Sequence, residues 1–208
     1  MEVVLIDKQG DSHWRELEIK ALGLASDCSS TKEVVEQLGK LVCMLMGGPY
    51  LTEHGDLKMR WQVNIKMLKD CLKSIVLPIG SISVGLCRHR SLLFKALADI
   101  IDLPGRISQG CKYCGRADGS SCLVQCGLDR ECLVDLIGKP GELCDSYIND
   151  IISLSIASPL RLPEFKPLHT TNEVRSLARQ YASDSKLLGG LSSKLQISNI
   201  NIYGAVKS

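Results

Sequence analysis

Apolar residues at intervals of three and four positions predict several helices in the first half of the chain. The clearest covers residues 31–45, where Ser30 and Glu33 have capping-box spacing and the pair Gly47-Gly48 ends the pattern. Further helices are expected at residues 14–24, 57–75 and 87–101. The short apolar run Val3-Val4-Leu5-Ile6 before them indicates a buried strand.

The pattern changes after residue 105 to alternation with a period of two. Residues 106–110, 122–125 and 132–136 are expected to be strands, with a hairpin turn at Gly127-Leu128-Asp129-Arg130. Helices followed by a small antiparallel sheet form an α+β order.

The last third of the chain is less regular. Residues 151–163 contain Ser-Pro-Leu-Arg-Leu-Pro, which favours extended backbone. Residues 171–188 have helical spacing, and the stretch from residue 189 is rich in Gly, Ser and Asn. We therefore expect one domain at residues 1–188 and a linker or disordered tail at 189–208.

Composition limits the partners of this domain. The chain has 208 residues, is 45% hydrophobic and carries a net charge of +2. It can therefore form a core without disulfides, and it has no general field for nucleic acid. No apolar run approaches the length of a bilayer span, and acidic and basic residues come too early for a signal peptide. We expect a cytoplasmic protein that binds no nucleic acid and does not insert into a membrane.

The ten cysteines are expected to be free thiols, because nothing indicates an oxidising compartment. Free cysteines are mostly small core residues, and Cys28, Cys43 and Cys71 fit that interpretation.

Cys87 stands apart because it begins a predicted helix, where the dipole favours a thiolate. Many cysteine acyl-transfer enzymes have this arrangement, with a histidine base and an orienting carboxylate on nearby strands, and Asp135 would be that carboxylate. The strand at residues 121–125 contains no histidine. His89 is two residues from Cys87 on the same helix, where side chains do not face each other. We therefore expect no catalytic residues, only vestigial ones, although a Cys87-dependent peptidase or acyl transferase remains the alternative.

A second cysteine pattern suggests a metal. Cys111 and Cys114 form a C-x-x-C pair, and Cys122 follows across a polar loop. This spacing resembles half a zinc knuckle, and Cys87 or His89 would complete the ligand set. A structural zinc is one interpretation, and a group of packed thiols is the other.

Eight motifs occur in a fixed order along the chain. They are Thr31-Lys32-Glu33-Val34-Val35, Gly47-Gly48-Pro49, Pro78-Ile79-Gly80-Ser81, Val84-Gly85-Leu86-Cys87-Arg88-His89-Arg90, Gly110-Cys111-Lys112-Tyr113-Cys114, Gly127-Leu128-Asp129-Arg130, Leu133-Val134-Asp135-Leu136-Ile137-Gly138-Lys139-Pro140-Gly141 and Ser158-Pro159-Leu160-Arg161. Over residues 1–188 the chain resembles the N-terminal regulatory domain of plant Raf-like MAP kinase kinase kinases, the constitutive triple response and enhanced disease resistance family. The domain is also distantly similar to the transglutaminase-like or papain-like cysteine peptidase fold.

This resemblance implies a non-catalytic regulatory and protein-interaction domain of a serine/threonine kinase in ethylene, abscisic acid, stress or defence signalling. The implied partners are a kinase domain in cis and an upstream receptor or histidine-kinase-like protein, which would recruit the domain to the endoplasmic reticulum surface. The kinase motifs themselves, G-x-G-x-x-G, V-A-I-K, H-R-D and D-F-G, do not occur in this sequence.

The partner-binding surface is expected where polar, glycine-containing segments lie beside the Cys87 helix. Five cations would give it a positive potential: Arg88, Arg90, Lys112, Arg116 and Lys139. The alternative is that they are solvated or paired within the chain, as surface charges usually are.

Overall fold

The computed structural model describes residues 2–50, 54–116, 118–126, 130–145 and 205–206. The helices are α1 (Ser12–Asp27), α2 (Thr31–Leu45), α3 (His54–Leu72) and α4 (Cys87–Ile100), with a 3-10 turn at Ile79–Ser81. The strands are β1 (Glu2–Leu5), β2 (Val76–Pro78), β3 (Gly105–Gln109), β4 (Ser120–Gln125), β5 (Glu131–Val134), β6 (Leu143–Asp145) and β7 (Ala205–Val206). Each helix in this described part of the chain is too short or too polar to cross a bilayer.

Local signals account for the ends of the helices. The side chain of Asp11 accepts a hydrogen bond from the His13 amide at the start of α1. Ser30 does the same for the Glu33 amide in α2. Both helices therefore begin with a satisfied amide group. Beyond α2 the chain turns at Gly47, whose φ of 96° is a conformation that residues with a Cβ rarely adopt.

A four-stranded antiparallel sheet in the order β3-β4-β5-β6 follows the helices. Residue Cys122 on β4 pairs with Ile107 on β3 and with Val134 on β5. The helix α4 packs against β3 and β4, and it also contacts α1 and α2. The α+β class and the order of helices before a small antiparallel sheet are thus confirmed.

A second sheet, in the order β2-β1-β7, was not expected from the sequence. The run β1 was correctly predicted as a strand, but its parallel partner β2 directly follows the helix predicted at 57–75 and was not predicted. The antiparallel partner β7 comes from residues 205–206, inside the expected tail. The helix predicted at 171–188 and the extended segment at 151–163 lie outside the described residues, as do the first three residues of the turn predicted at 127–130.

Two apolar clusters form the core of the described part. The larger one lies between α1, α2, α4 and the four-stranded sheet, and includes Trp14, Leu38, Phe94 and Leu97. The smaller one surrounds Trp61 and includes Cys87 and Cys111. Cys43 is buried as expected, whereas the expectation that Cys71 is a core residue is wrong. Cys71 lies in the last turn of α3, where it and its neighbours Asp70 and Leu72 are exposed to solvent.

Candidate functional site

Cys87 is the first residue of α4, and it is 5% exposed. The chain enters the helix through Gly85, where a Cβ would overlap the sulfur of Met46, so only glycine allows this approach. The Sγ of Cys87 lies 3.8 Å from the Sγ of Cys114. The predicted helix-opening position is therefore correct, but the sulfur faces other thiols within the protein.

This environment keeps Cys87 protonated. Its hydrogen bond with Cys111 and its burial raise the pKa of Cys87 far above the ordinary thiol value. The thiolate is the nucleophilic form of cysteine, so a raised pKa removes the attacking species at neutral pH. The dipole of α4 does not overcome these two effects.

Asp135 follows β5 and is 2% exposed. Its Oδ1 accepts hydrogen bonds from the amides of Ile137 and Gly138 at 2.9 and 3.0 Å. Its Oδ2 accepts from the Tyr113 hydroxyl and lies 3.0 Å from the Nζ of Lys112. Burial opposes ionisation of Asp135, but these partners together hold its pKa below the usual value. The carboxylate is therefore ionised and fully engaged.

Cys87 and Asp135 line the same cavity, which has a volume of about 20 Å³. Ser120 and Ser121 of β4 also line it, and the hydroxyl of Ser121 donates to the carbonyl of Gly110 at 2.8 Å. Such a volume has room for about one water molecule. None of the described residues that line this cavity is a histidine.

His89 lies in a different environment from Cys87. Its Nδ1 accepts the amide N–H of Leu86 at 3.1 Å, and its ring stacks on Trp61 with 5.5 Å between the ring centres. Burial, and then the charge of Arg88, lower the pKa of His89 to about 3. The imidazole thus stays neutral and holds the start of α4, which agrees with the expectation that it does not pair with Cys87.

Three of the five predicted metal-ligating residues come together. The Sγ atoms of Cys87, Cys111 and Cys114, which we call the thiol cluster, all lie within 4.8 Å of one another. Cys122 lies elsewhere, because its side chain points into the main core and its thiol donates to the carbonyl of Ser91 at 3.2 Å. His89 is held by the contacts described above. The structure therefore offers three sulfur ligands, without the predicted contributions of Cys122 and His89.

Arg90 does not belong to a partner surface, which corrects the expectation from the sequence. Its side chain is 0% exposed. Its guanidinium donates to the carbonyls of Gly85, Leu136, Met46 and Gly48 at 2.8 to 2.9 Å. The residue therefore joins α2, the approach to α4 and the segment after β5.

The other four predicted cations each have an acidic partner within the chain. Arg88 lies 3.7 Å and Arg116 3.0 Å from Asp118. Lys139 lies 3.4 Å from Glu142, and Lys112 is paired with Asp135 as described. The loop that carries Lys112, Arg116 and Asp118 thus contacts both the start of α4 and the turn after β5.

Sequence reasoning missed the roles of Tyr113 and Trp61. Tyr113 lies inside the C-x-x-C motif, and a bulky aromatic residue in a polar loop was the available signal that this loop is anchored. Trp61 lies on the core face of α3. Its ring stacks on His89, and the guanidinium of Arg88 lies 5.4 Å from the centre of the same ring. Both contacts depend on how α3 packs on α4.

Comparisons with known proteins identify several relatives. The model of a family described as EDR1/CTR1/ARMC3, peptidase-like, matches residues 1–144. The chain is 53% identical over 190 residues, or 90% of its length, to serine/threonine-protein kinase CTR1 of Arabidopsis thaliana, and covers 23% of that protein. It is 40% identical over 149 residues, or 68% of its length, to the probable serine/threonine-protein kinase SIS8 of Arabidopsis thaliana, and covers 14% of it.

A human relative is more limited in extent. Armadillo repeat-containing protein 3 of Homo sapiens is 43% identical over 83 residues, which are 40% of this chain and 9% of that protein. The chain therefore spans less than a quarter of each of these curated relatives. No solved structure matches it. The family description agrees with the similarity to a cysteine peptidase fold that we expected from the sequence. The matched residues 1–144 include the whole thiol cluster and Asp135.

Proposed function

The chain belongs to the EDR1/CTR1/ARMC3 peptidase-like family, and on this basis we propose that it is a non-catalytic regulatory and protein-interaction domain of a Raf-like serine/threonine kinase. The resemblance to the N-terminal regulatory domain of the plant Raf-like kinases is confirmed by the matches to CTR1 and SIS8. We further propose that the domain has no catalytic activity and that it binds other proteins.

One observation carries it. The two residues that correspond to a nucleophile and its carboxylate still share a cavity, but the cavity has no described histidine, and Ser120 and Ser121 lie on its β4 side. Asp135, which would orient a histidine, instead binds Tyr113 and Lys112. A peptidase-like fold without a nucleophile–base pair keeps its surfaces and loses its chemistry.

A Cys87-dependent peptidase or acyl transferase is the second candidate, and the shared cavity of Cys87 and Asp135 is the observation that favours it. The two candidates separate in one assay with generic peptide and acyl-donor substrates, run on the wild type and on Cys87→Ala. We expect no turnover above background in either protein. A rate that disappears in a folded Cys87→Ala variant would establish the enzyme and refute the regulatory proposal as stated.

We place the partner surface on the loop at residues 112–119, the start of α4 and the turn after β5. Four cations lie there, namely Arg88, Lys112, Arg116 and Lys139, and they face the three carboxylates of Asp118, Asp135 and Glu142. The excess is a single positive charge, so the surface would steer an acidic partner only weakly.

The proposed partners are the kinase domain of the same polypeptide and an upstream receptor or histidine-kinase-like protein. Signalling in response to ethylene, abscisic acid, stress or pathogens, cytoplasmic location and recruitment to the endoplasmic reticulum belong to the same proposal. It requires no cofactor, and a structural zinc is a separate proposal that depends on the thiol cluster alone.

Charge reversal tests the surface, and the structure decides which residues are suitable. Lys112→Glu would place a carboxylate against buried Asp135 and damage the fold. Arg116 and Lys139 are 54% and 71% exposed, so the double variant Arg116→Glu, Lys139→Glu should unfold close to the wild type. Lys20→Glu, at an exposed position on α1, provides a control with one reversed charge.

Binding to a purified CTR1-type kinase domain and to a receptor cytoplasmic domain would be measured at low and at high salt. The double variant should bind the partner about tenfold more weakly at low salt, because reversing two exposed charges changes the free energy by roughly 1 to 2 kcal/mol. The control should bind like the wild type. Equal binding by the double variant and the wild type would refute the surface, and failure of both partners to bind the wild type would refute the interaction.

A further inference from the structure

The thiol cluster lies at the junction of two elements. Cys87 comes from the start of α4, while Cys111 and Cys114 come from the loop between β3 and β4. Their Sγ atoms converge although each cysteine could have packed separately as a small apolar residue. The other described cysteines do not form such a group of three.

The sulfur geometry fits a tetrahedral thiolate site. With zinc–sulfur bonds of about 2.3 Å, two sulfurs on one zinc ion are separated by about 3.8 Å. The separation between Cys87 and Cys114 is 3.8 Å, and the third sulfur is within 4.8 Å of both. Small rotations of the Cys111 side chain would bring all three sulfurs within bonding distance of one ion.

The loop has the backbone of a metal-binding knuckle. Gly115 directly follows the C-x-x-C pair with a φ of 58°, and its amide donates to the carbonyl of Cys111 at 3.0 Å. The backbone amides of Tyr113 and Cys114 lie within hydrogen-bonding distance of the Cys111 sulfur. Amide donors that surround a sulfur are what a bound thiolate requires.

Close approach of the backbone completes the arrangement. A Cβ on Gly119 would lie 2.8 Å from the Sγ of Cys114 and 2.9 Å from the Cβ of Cys111. The backbone at position 119 can therefore come this close to the sulfurs only because the residue there is glycine. The dipole of α4 does not ionise Cys87 by itself, but its positive end would stabilise the thiolate once a metal ion has displaced the proton.

We propose that Cys87, Cys111 and Cys114 bind one thiophilic divalent cation, zinc above all, as three thiolates with the fourth position taken by an exchangeable water. Each thiol gives up its proton to solvent as its sulfur bonds to the metal, so binding one ion releases three protons and the ion keeps its oxidation state. The ion would fasten the loop to α4 beneath the partner surface. A Cys87 sulfur bound to metal would also be withheld from nucleophilic attack.

The test uses the 208-residue chain and the metals alone. Metal content is measured on protein purified without chelator, and apo-protein is titrated with Co²⁺, whose thiolate charge-transfer absorption reports sulfur ligands. We expect about one ion per chain and a saturable charge-transfer band. Chelation should lower the melting temperature by at least about 5 °C, as loss of a ligand bound well above its Kd does.

Matched serine variants locate the site. Cys114 is only partly buried, so Cys114→Ser should fold while losing about a third of the band and at least tenfold in affinity. Cys71→Ser, at an exposed cysteine on α3, should behave like the wild type. Added imidazole should alter the visible cobalt bands if the fourth position is exchangeable, and unchanged bands would refute that part of the proposal.

Several outcomes would overturn the site itself. They are the absence of a thiolate band at saturating cobalt, an equal loss of the band in Cys71→Ser and Cys114→Ser, and recovery of Cys87 and Cys114 from freshly purified protein as a disulfide. The wild-type cobalt titration stands even if Cys114→Ser does not fold.

Discussion

Replacement of Arg90 by alanine should destabilise this domain more than any surface change. The guanidinium donates to four carbonyl oxygens and also lies 3.2 Å from the Sγ of Cys43. One of the carbonyls belongs to Met46, at the C-terminal end of α2, where a cation is favoured by the helix dipole. Burial lowers the pKa of Arg90, but arginine remains charged in proteins.

The magnitude follows from these contacts. A hydrogen bond to a charged group contributes about 1.5 to 3 kcal/mol, so four of them, if additive, would exceed the stability of many domains. The contributions are not additive, because they share one side chain and water can enter to replace some of them. Arg90→Ala leaves four buried carbonyl oxygens without their donor, and each one that stays unpaired costs about 1 to 3 kcal/mol. We expect Arg90→Ala to lower the free energy of unfolding by about 4 kcal/mol, which corresponds to a melting temperature lower by roughly 8 to 16 °C.

Thermal and urea unfolding followed by circular dichroism would measure this loss. The stability of Arg90→Lys should lie between that of Arg90→Ala and that of the wild type, because an ammonium keeps the charge but cannot reproduce the planar set of donors. Arg106→Ala is the control, since Arg106 is 54% exposed and paired with Glu131 on the surface, and it should cost below about 1 kcal/mol. Similar losses for Arg90→Ala and Arg106→Ala would refute the view that Arg90 joins three elements of the core.

Two further variants test the backbone and the acid response. Gly141→Ala should lower the free energy of unfolding by more than about 1 kcal/mol, because Gly141 has a φ of 83° and a Cβ there would overlap the backbone of Glu36. Gly23→Ala is the control, since a Cβ at this position on α1 meets open space, and it should be neutral or stabilising. Urea unfolding measures both variants. Asp135→Asn should be less stable than the wild type by about 1 to 3 kcal/mol at neutral pH. Because the folded pKa of Asp135 is lowered, the wild-type advantage should be complete above the unfolded-state pKa of about 3.9 and should vanish as the pH falls through the folded value. A stability difference that does not change with pH would contradict the ionised state of Asp135.

Much of the fold was predictable because its signals are local. The cap at Ser30, the glycine stop after α2 and the alternation in β4 and β5 each depend on a few neighbouring residues, and each was placed correctly within a few positions. The parallel pairing of β1 with β2 was not predictable in this way. The two strands are separated by three helices, and β2 is only three residues long, too short to show a period.

For the candidate site, the sequence alone determined the kinds of residues and their order: a cysteine that opens a helix, a C-x-x-C pair, a carboxylate in the last predicted strand and no histidine on the strand before it. Tertiary structure decided which of them meet. Cys122 and Cys111 were equal candidates as ligands, but the pleat of β4 turns Cys122 into the core, while the loop carries Cys111 and Cys114 to α4. Arg88 and Arg90 look alike in sequence, yet two positions along a helix differ by about 200°, so one lies near Asp118 and the other is buried among carbonyl oxygens. Local patterns fix an element and its faces, but the neighbour that each face meets depends on contacts between residues far apart in the chain.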